Sequence, residues 1–263
     1  MTSARLTLRR CGHLALAALC VTAGLIGGAA GTAWAGQPGR LDFGGLARTY
    51  SLHVPPGLEH PAGLVVNLHG AGAIGAGWEW DTNYDAVADA HRFIVVYPDG
   101  IDFSWADGRG ASVPDHQGVD DVGFITGLVA KLVSDFGVDP GHVFATGMSA
   151  GAFMVNRLAC ERADVFAAIA PVAGTLGVNV GCAPSRPVAV LETHGTADPI
   201  VPFNGGPMVG RGGPSDIISA PALAARWRQA GGDVVLRQID GGGHFWPGDT
   251  AEASAQFFDS HSR

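Results

Sequence analysis

Residues 93–97 read FIVVY, an unbroken apolar run closed by the turn sequence Pro98-Asp99-Gly100. Such a run predicts a strand covered on both faces. Residues 120–136 follow another rhythm. Phe124, Ile125, Leu128, Leu132 and Val133 recur at helical spacing, behind Asp120 and Asp121, either of which can cap the first turn. The two rhythms alternate from residue 49 onward. Strands are predicted at 49–54, 64–68, 93–97, 143–146, 166–170, 188–193 and 234–239, and helices at 83–91, 120–136, 150–162, 221–230 and 251–258. This alternation implies an α/β domain with a mostly parallel central sheet and helices on both faces. Ligands of such sheets bind beyond the carboxyl ends of the strands. Residues 99–119 and 194–219 are rich in Gly and Pro and read as long loops, which in a compact domain usually shape a functional rim.

The first 35 residues break the pattern. Arg5, Arg9 and Arg10 precede an uncharged stretch at 14–33, and Ala33-Trp34-Ala35 places small residues where signal peptidase needs them. Residues 1–35 are therefore read as a secretory signal peptide cleaved after Ala35, leaving 36–263 as one domain in a secreted or envelope-associated protein. The alternative is an uncleaved anchor, because the apolar run approaches bilayer-spanning length. Its glycines and its Ala-x-Ala ending favour cleavage. Arg9-Arg10 leaves the twin-arginine route open, and Leu19 before Cys20 argues against a lipid anchor.

Cleavage changes the charge and the cysteine count. The mature chain keeps 13 basic and all 24 acidic side chains, a net charge of −11, with Lys131 its one lysine. That balance excludes recognition of nucleic acid or an anionic membrane through a basic patch. Cys160 and Cys182 remain. Two cysteines in an exported chain point to one disulfide, with two free thiols as the alternative.

The chemistry concentrates at predicted strand ends. Gly147-Met148-Ser149-Ala150-Gly151 falls between a strand and a helix, the setting that a Gly-x-Ser-x-Gly nucleophile elbow requires. In a chain with 40 glycines the string alone is weak, and the alternative is a glycine-rich turn with an idle serine. A serine needs a base, and the base an orienting acid. Asp198 follows the strand at 188–193 and His244 the strand at 234–239, giving the order Ser, acid, His. His69-Gly70-Ala71-Gly72 follows the strand at 64–68. Backbone N–H groups of Ala71 and Ala150 are then the candidate oxyanion donors. Trp105, Phe245 and Trp246 are candidates for an aromatic substrate rim, or equally for covering core edges.

The stretches VVNLHGAG (65–72), VVYPDG (95–100), GMSAGAFM (147–154), ETHGTADPIVPFNGG (192–206) and GGGHFWPG (241–248) resemble the α/β-hydrolase esterases grouped with polyhydroxybutyrate depolymerases and with feruloyl and acetylxylan esterases. The resemblance implies an α/β-hydrolase fold, a Ser149–His244–Asp198 triad working through an acyl-enzyme, a Cys160–Cys182 bridge, and a feruloyl, acetyl-carbohydrate or hydroxyalkanoate ester as substrate. It implies no cofactor and no required protein partner. Phe245 stands where related sequences commonly carry a smaller polar residue.

Other classes fit less well. No His-Glu-x-x-His or tight His/Cys cluster supports a metal, and no glycine-rich phosphate loop opens a helix after a strand. A peptidase or acyltransferase on the same fold stays open, because a triad does not fix the acceptor. So does a non-catalytic envelope protein that keeps the fold as a binding surface.

Overall fold

In a computed structural model, residues 36–263 are described, so the predicted signal peptide lies outside the described residues. The strands are β1 (Gln37–Phe43), β2 (Leu46–His53), β3 (Gly63–Leu68), β4 (Phe93–Pro98), β5 (Val143–Met148), β6 (Ala168–Val172), β7 (Ala189–Gly195), β8 (Gly206–Gly210), β9 (Gly213–Ile217) and β10 (Val234–Ile239). The helices are α1 (Gly75–Thr82), α2 (Tyr84–His91), α3 (Val113–Gln117), α4 (Asp121–Phe136), α5 (Ala150–Glu161), α6 (Ala220–Gln229) and α7 (Thr250–Asp259).

Eight strands form one sheet in the order β1-β2-β4-β3-β5-β6-β7-β10. The pairs from β4 to β10 are parallel, and β1 and β2 add an antiparallel edge. Strand alternation distributes the core to two faces. Leu64, Val66 and Leu68 of β3 join Phe124, Leu128, Leu158 and Trp227 of α4, α5 and α6 on one face. Val65 joins Trp78, Tyr84 and Phe258 of α1, α2 and α7 on the other. This is the α/β-hydrolase arrangement, in a single domain.

The order of winding reverses about β3. The chain leaves β3 through α1 and α2 to reach β4 on one side, then returns through α4 to β5 on the other. Such a switch point opens a crevice at the carboxyl ends of the two strands. The register pairs Leu68 with Gly147 there, which sets the loop after β3 beside the elbow after β5.

The predicted elements all form, with ends displaced by a few residues. Asp120 caps α4 as expected, its Oδ1 accepting the Gly123 N–H at 2.7 Å. Asp121 does different work: it accepts from buried Arg48 at 2.7 Å and from the Ala106 N–H at 2.8 Å. The expected loop at 194–219 contains the β8–β9 hairpin, and the loop at 99–119 contains α3. β1 and α1 carried no periodic signal. Cys160 at the end of α5 is bridged to Cys182. By the loop-entropy argument this bridge contributes about 3 kcal/mol.

Candidate active site

Ser149 occupies the turn from β5 into α5 with φ 56° and ψ −119°. That strained conformation lifts its side chain off the sheet. Its N–H donates to Val172 O at 2.9 Å, which pins the turn to β6. The flanking glycines are required by close approach. A Cβ on Gly147 would lie 2.5 Å from Leu68 O, and one on Gly151 would overlap the same carbonyl. The two glycines thus let the elbow press against the end of β3.

Asp198 and His244 come from neighbouring loops held side by side. The Thr196 N–H donates to Ile239 O (3.0 Å) and the Ala197 N–H to Gly242 O (2.9 Å), so the loops after β7 and β10 run together. His244 Nδ1 then sits 2.7 Å from Asp198 Oδ2. Asp198 Oδ1 accepts the N–H groups of Ile200 (2.8 Å) and Val201 (2.9 Å). Burial alone would raise the Asp198 pKa. The hydrogen bond from His244 and the two backbone donors outweigh that cost and hold it below the ordinary carboxylate value. A charged Asp198 favours a proton on the His244 Nδ1 that it contacts.

Ser149, His244, Ala71 and Ala150 line one cavity of about 290 Å³. No hydrogen bond joins the Ser149 hydroxyl to His244 among the described contacts; in unliganded sites such bonds are often loose. Gly70 brings the loop after β3 within reach of the elbow, since a Cβ there would lie 3.6 Å from Ser149 Cβ. Ala150 is the first residue of α5, so its N–H is one of the helix's unpaired donors. Fully buried His69 anchors the loop. Its Nδ1 meets Gly70 O at 2.8 Å and its Nε2 accepts the Gly100 N–H at 3.0 Å. Burial holds His69 below the usual imidazole pKa, so it is a neutral brace.

The aromatic rim is corrected. Trp105 is fully buried beneath the loop after β3, where its Nε1 donates to His69 O at 2.9 Å. Trp246 packs edge-on against Trp78 with ring centroids 5.4 Å apart, so it covers the core face. Phe245 is exposed and does not line the cavity. The walls come from elsewhere: Phe153, Ile200, Met208 and Val209 supply apolar surface, and Arg109 and Arg211 supply charge. Arg109 is spent on buried Asp107 (2.7 Å) and on the face of Phe153 (3.5 Å). Arg211 is solvent-exposed and belongs to the turn between β8 and β9. Sequence reasoning missed these walls because the hairpin carries no periodicity. It also missed Glu192, buried on β7 two residues before His194, whose Nδ1 lies 3.3 Å from Glu192 Oε1. A Glu two residues from a His in an otherwise apolar strand places both on one face, and that was the available signal.

Known proteins resemble this chain in sequence and in fold. The family described as Esterase PHB depolymerase matches residues 48–209. A relative from Nocardia uniformis subsp. tsuyamanensis, named "Putative esterase NocK", is 32% identical over 251 residues, covering 78% of this chain and 72% of that protein. Feruloyl esterase C of Emericella nidulans is 34% identical over 167 residues, covering 60% of this chain and 58% of that protein. The chain thus spans little more than half the length of the second relative. An acetyl xylan esterase from Aspergillus awamori has the same fold, with a TM-score of 0.59 at 19% identity over 85% of this chain and 99% of that one.

Proposed function

The chain belongs to the esterase PHB depolymerase family of carboxylic ester hydrolases, and we propose that it is an exported member that works through Ser149, His244 and Asp198. The observation that carries the reading is the 2.7 Å contact of His244 with a depressed Asp198, on the wall of a cavity shared with a strained Ser149. Ser149 Oγ attacks the ester carbonyl carbon while His244 Nε2 takes its proton. Charged Asp198 stabilises the imidazolium. The developing oxyanion accepts from the N–H groups of Ala71 and Ala150, and the positive end of α5 supports it. Collapse of the tetrahedral adduct breaks the bond to the alcohol oxygen, which takes the proton from His244. Water then repeats the sequence on the acyl-enzyme and frees the acid and Ser149.

The cavity suits a short acyl or single-ring group, because a volume of about 290 Å³ lies at the small end for ligand sites. The substrate class is a feruloyl or acetyl ester of carbohydrate, or a hydroxyalkanoate ester. Arg211 on the wall favours the hydroxyalkanoate, whose oligomers end in a carboxylate. Ser149→Ala is expected to lower kcat on a short p-nitrophenyl ester by at least about 10⁴-fold while the protein stays folded by circular dichroism. Turnover like that of the parent in that variant sinks the assignment. A kinetic panel of feruloyl, acetyl-xylan, hydroxybutyrate-oligomer and simple acyl esters then ranks the substrates.

A further inference from the structure

On α1, next to β2 at the antiparallel side of the sheet, a buried acid keeps one carboxyl oxygen without a hydrogen bond among the described residues. Glu79 is 4% exposed. Its Oε2 accepts from Ser51 Oγ at 2.5 Å. Its Oε1 has no hydrogen-bond partner among the described residues. Leaving a carboxyl oxygen buried and unpaired is costly, so the position calls for a donor. A second buried acid, Asp85, stands close by and holds Tyr97 OH at 2.7 Å. Burial pushes the Asp85 pKa up to about 6 against the Tyr97 hydrogen bond, with the close carboxyl–carboxyl approach of Glu79 adding to the rise and His53 opposing it. Among the described residues no Lys or Arg pairs with either acid, and His53, shared between Asp85 and Asp89, is the one basic group beside them. The described residues contain no His/Cys/Asp/Glu cluster fit for a metal ion.

One residue lies directly over the Glu79 carboxylate, and it is Gly36. A Cβ built on Gly36 would fall 2.6 Å from Oε1 and 2.9 Å from Oε2. Ser51 Oγ lies against the same position, so Gly36 sits over both side chains of the Ser51–Glu79 pair. The nitrogen and the Cβ position share the same Cα, so with bonds of about 1.5 Å the Gly36 nitrogen lies within about 5 Å of Oε1. Gly36 is also the residue that follows the predicted cleavage point, Ala35.

We propose that Glu79, with Ser51 and Asp85 around it, is a receptor for the α-ammonium of Gly36 that leader cleavage creates. A peptidase specific for small residues adds water across the Ala35–Gly36 bond. Ala35 departs with the carboxylate, and Gly36 keeps the nitrogen, which takes a proton. The uncharged amide with a single N–H becomes a cation with three donors, one of them for Glu79 Oε1. Its usual pKa near 8 keeps it charged at neutral pH. The pair ties the exposed edge strand β1 to α1, the helix that leads out of the loop after β3. Maturation itself thereby completes the fold at this corner.

The inference rests on the export reading and is independent of the ester chemistry, so its test reads amine reactivity. The mature chain has two primary amines, Gly36 and Lys131. Limiting acetic anhydride near pH 7, followed by peptide mass spectrometry, compares them. An unpaired α-amine outruns a lysine under these conditions. Here Gly36 is expected to react more slowly than Lys131, and at least about tenfold faster in Glu79→Gln. A chain that keeps Ala35 as its first residue supplies the same contrast if Glu79→Gln fails to fold. Its amine is expected to react freely, and its Tm to lie below that of the chain starting at Gly36. If Gly36 reacts as fast as the Ala35 amine of the longer chain, the proposal is overturned. A secreted protein that begins at any residue other than Gly36 overturns it as well.

Discussion

Two acid–histidine pairs lie side by side at the carboxyl end of β7, and their environments push them in opposite directions. Asp198 has its oxygens served by His244 and by two backbone N–H groups, and it stays charged more readily than a free aspartate. Glu192 is fully buried, with one oxygen near His194 and Oε2 without a partner. Burial dominates there and lifts Glu192 to about 7, against the opposing hydrogen bond from His194. His194 is pulled down by burial, yet its contacts with Glu192 outweigh that, and the net shift is upward. Residue types alone would make either pair a catalytic dyad. Donor count and access to solvent separate them: His244 lines the cavity, whereas His194 is sealed against Val201 O at 2.9 Å. In the proposed mechanism the first pair accepts and returns a proton with substrate. The second holds one in place behind Asp198, from which His194 Nε2 is 3.6 Å away.

The contrast breaks most sharply at Asp198. Asp198→Asn keeps the shape but favours the wrong imidazole tautomer, so kcat is expected to fall by about 10³–10⁴-fold with KM little changed. Glu192→Gln, on β7 behind His194, is expected to keep kcat within about tenfold. Comparable losses in both variants, measured on one p-nitrophenyl ester, would merge the two pairs into a single catalytic relay.

Their stability signs differ as well. The depressed Asp198 adds stability above its ordinary pKa of about 3.8 that is lost as pH falls below it. Glu192 works the other way. Its folded pKa is raised, so its favourable contribution is complete below about 4.5 and disappears as pH rises through about 7. His194, also raised, extends the same slope upward. The parent protein is therefore expected to lose roughly 1–3 kcal/mol between pH 5 and 8 that Glu192→Gln does not lose. Thermal midpoints for both proteins across that range decide it, and parallel curves would remove Glu192 as the source.

How much of this was legible in sequence follows from burial. β4, β5 and β7 are buried, and the apolar runs FIVVY, VFA and AVL that burial imposes marked the strands whose ends located Ser149 and Asp198. β10 lies at the sheet edge, yet VVLRQI kept enough β-branched character to locate His244. β1 reads QPGRLDF and is mostly exposed, so packing imposed no pattern on it. β8 and β9 read GPMVG and GPSDI, in which Gly and Pro masked a hairpin held mainly by its own backbone pairing. α1 reads GAGWEWDT, and its glycines hid both the helix and Glu79. The aromatic rim failed for a related reason: exposure of Trp105 and Trp246 depends on how loops fold back, which local spacing does not encode.

The hairpin that the sequence concealed supplies the smallest effect and the finest discrimination. Arg109 and Arg211 both line the cavity, but among the described residues only Arg109 has an acid partner, Asp107. Arg211 stands exposed near Gly72, where a Cβ would lie 3.6 Å from its guanidinium, so it lines the cavity beside the loop that carries Ala71. An exposed guanidinium meeting a carboxylate is worth about 1 kcal/mol in water, because both groups stay hydrated and salt screens them. Arg211→Ala is therefore expected to raise KM for an acid-terminated hydroxybutyrate ester about three- to tenfold, to leave KM for an uncharged acetate ester unchanged, and to spare kcat on both. The gap between the two substrates should narrow with added salt in the parent protein and stay flat in the variant. Equal KM changes for both esters would make Arg211 a wall residue and leave the choice of substrate to the apolar surface of Phe153, Met208 and Val209.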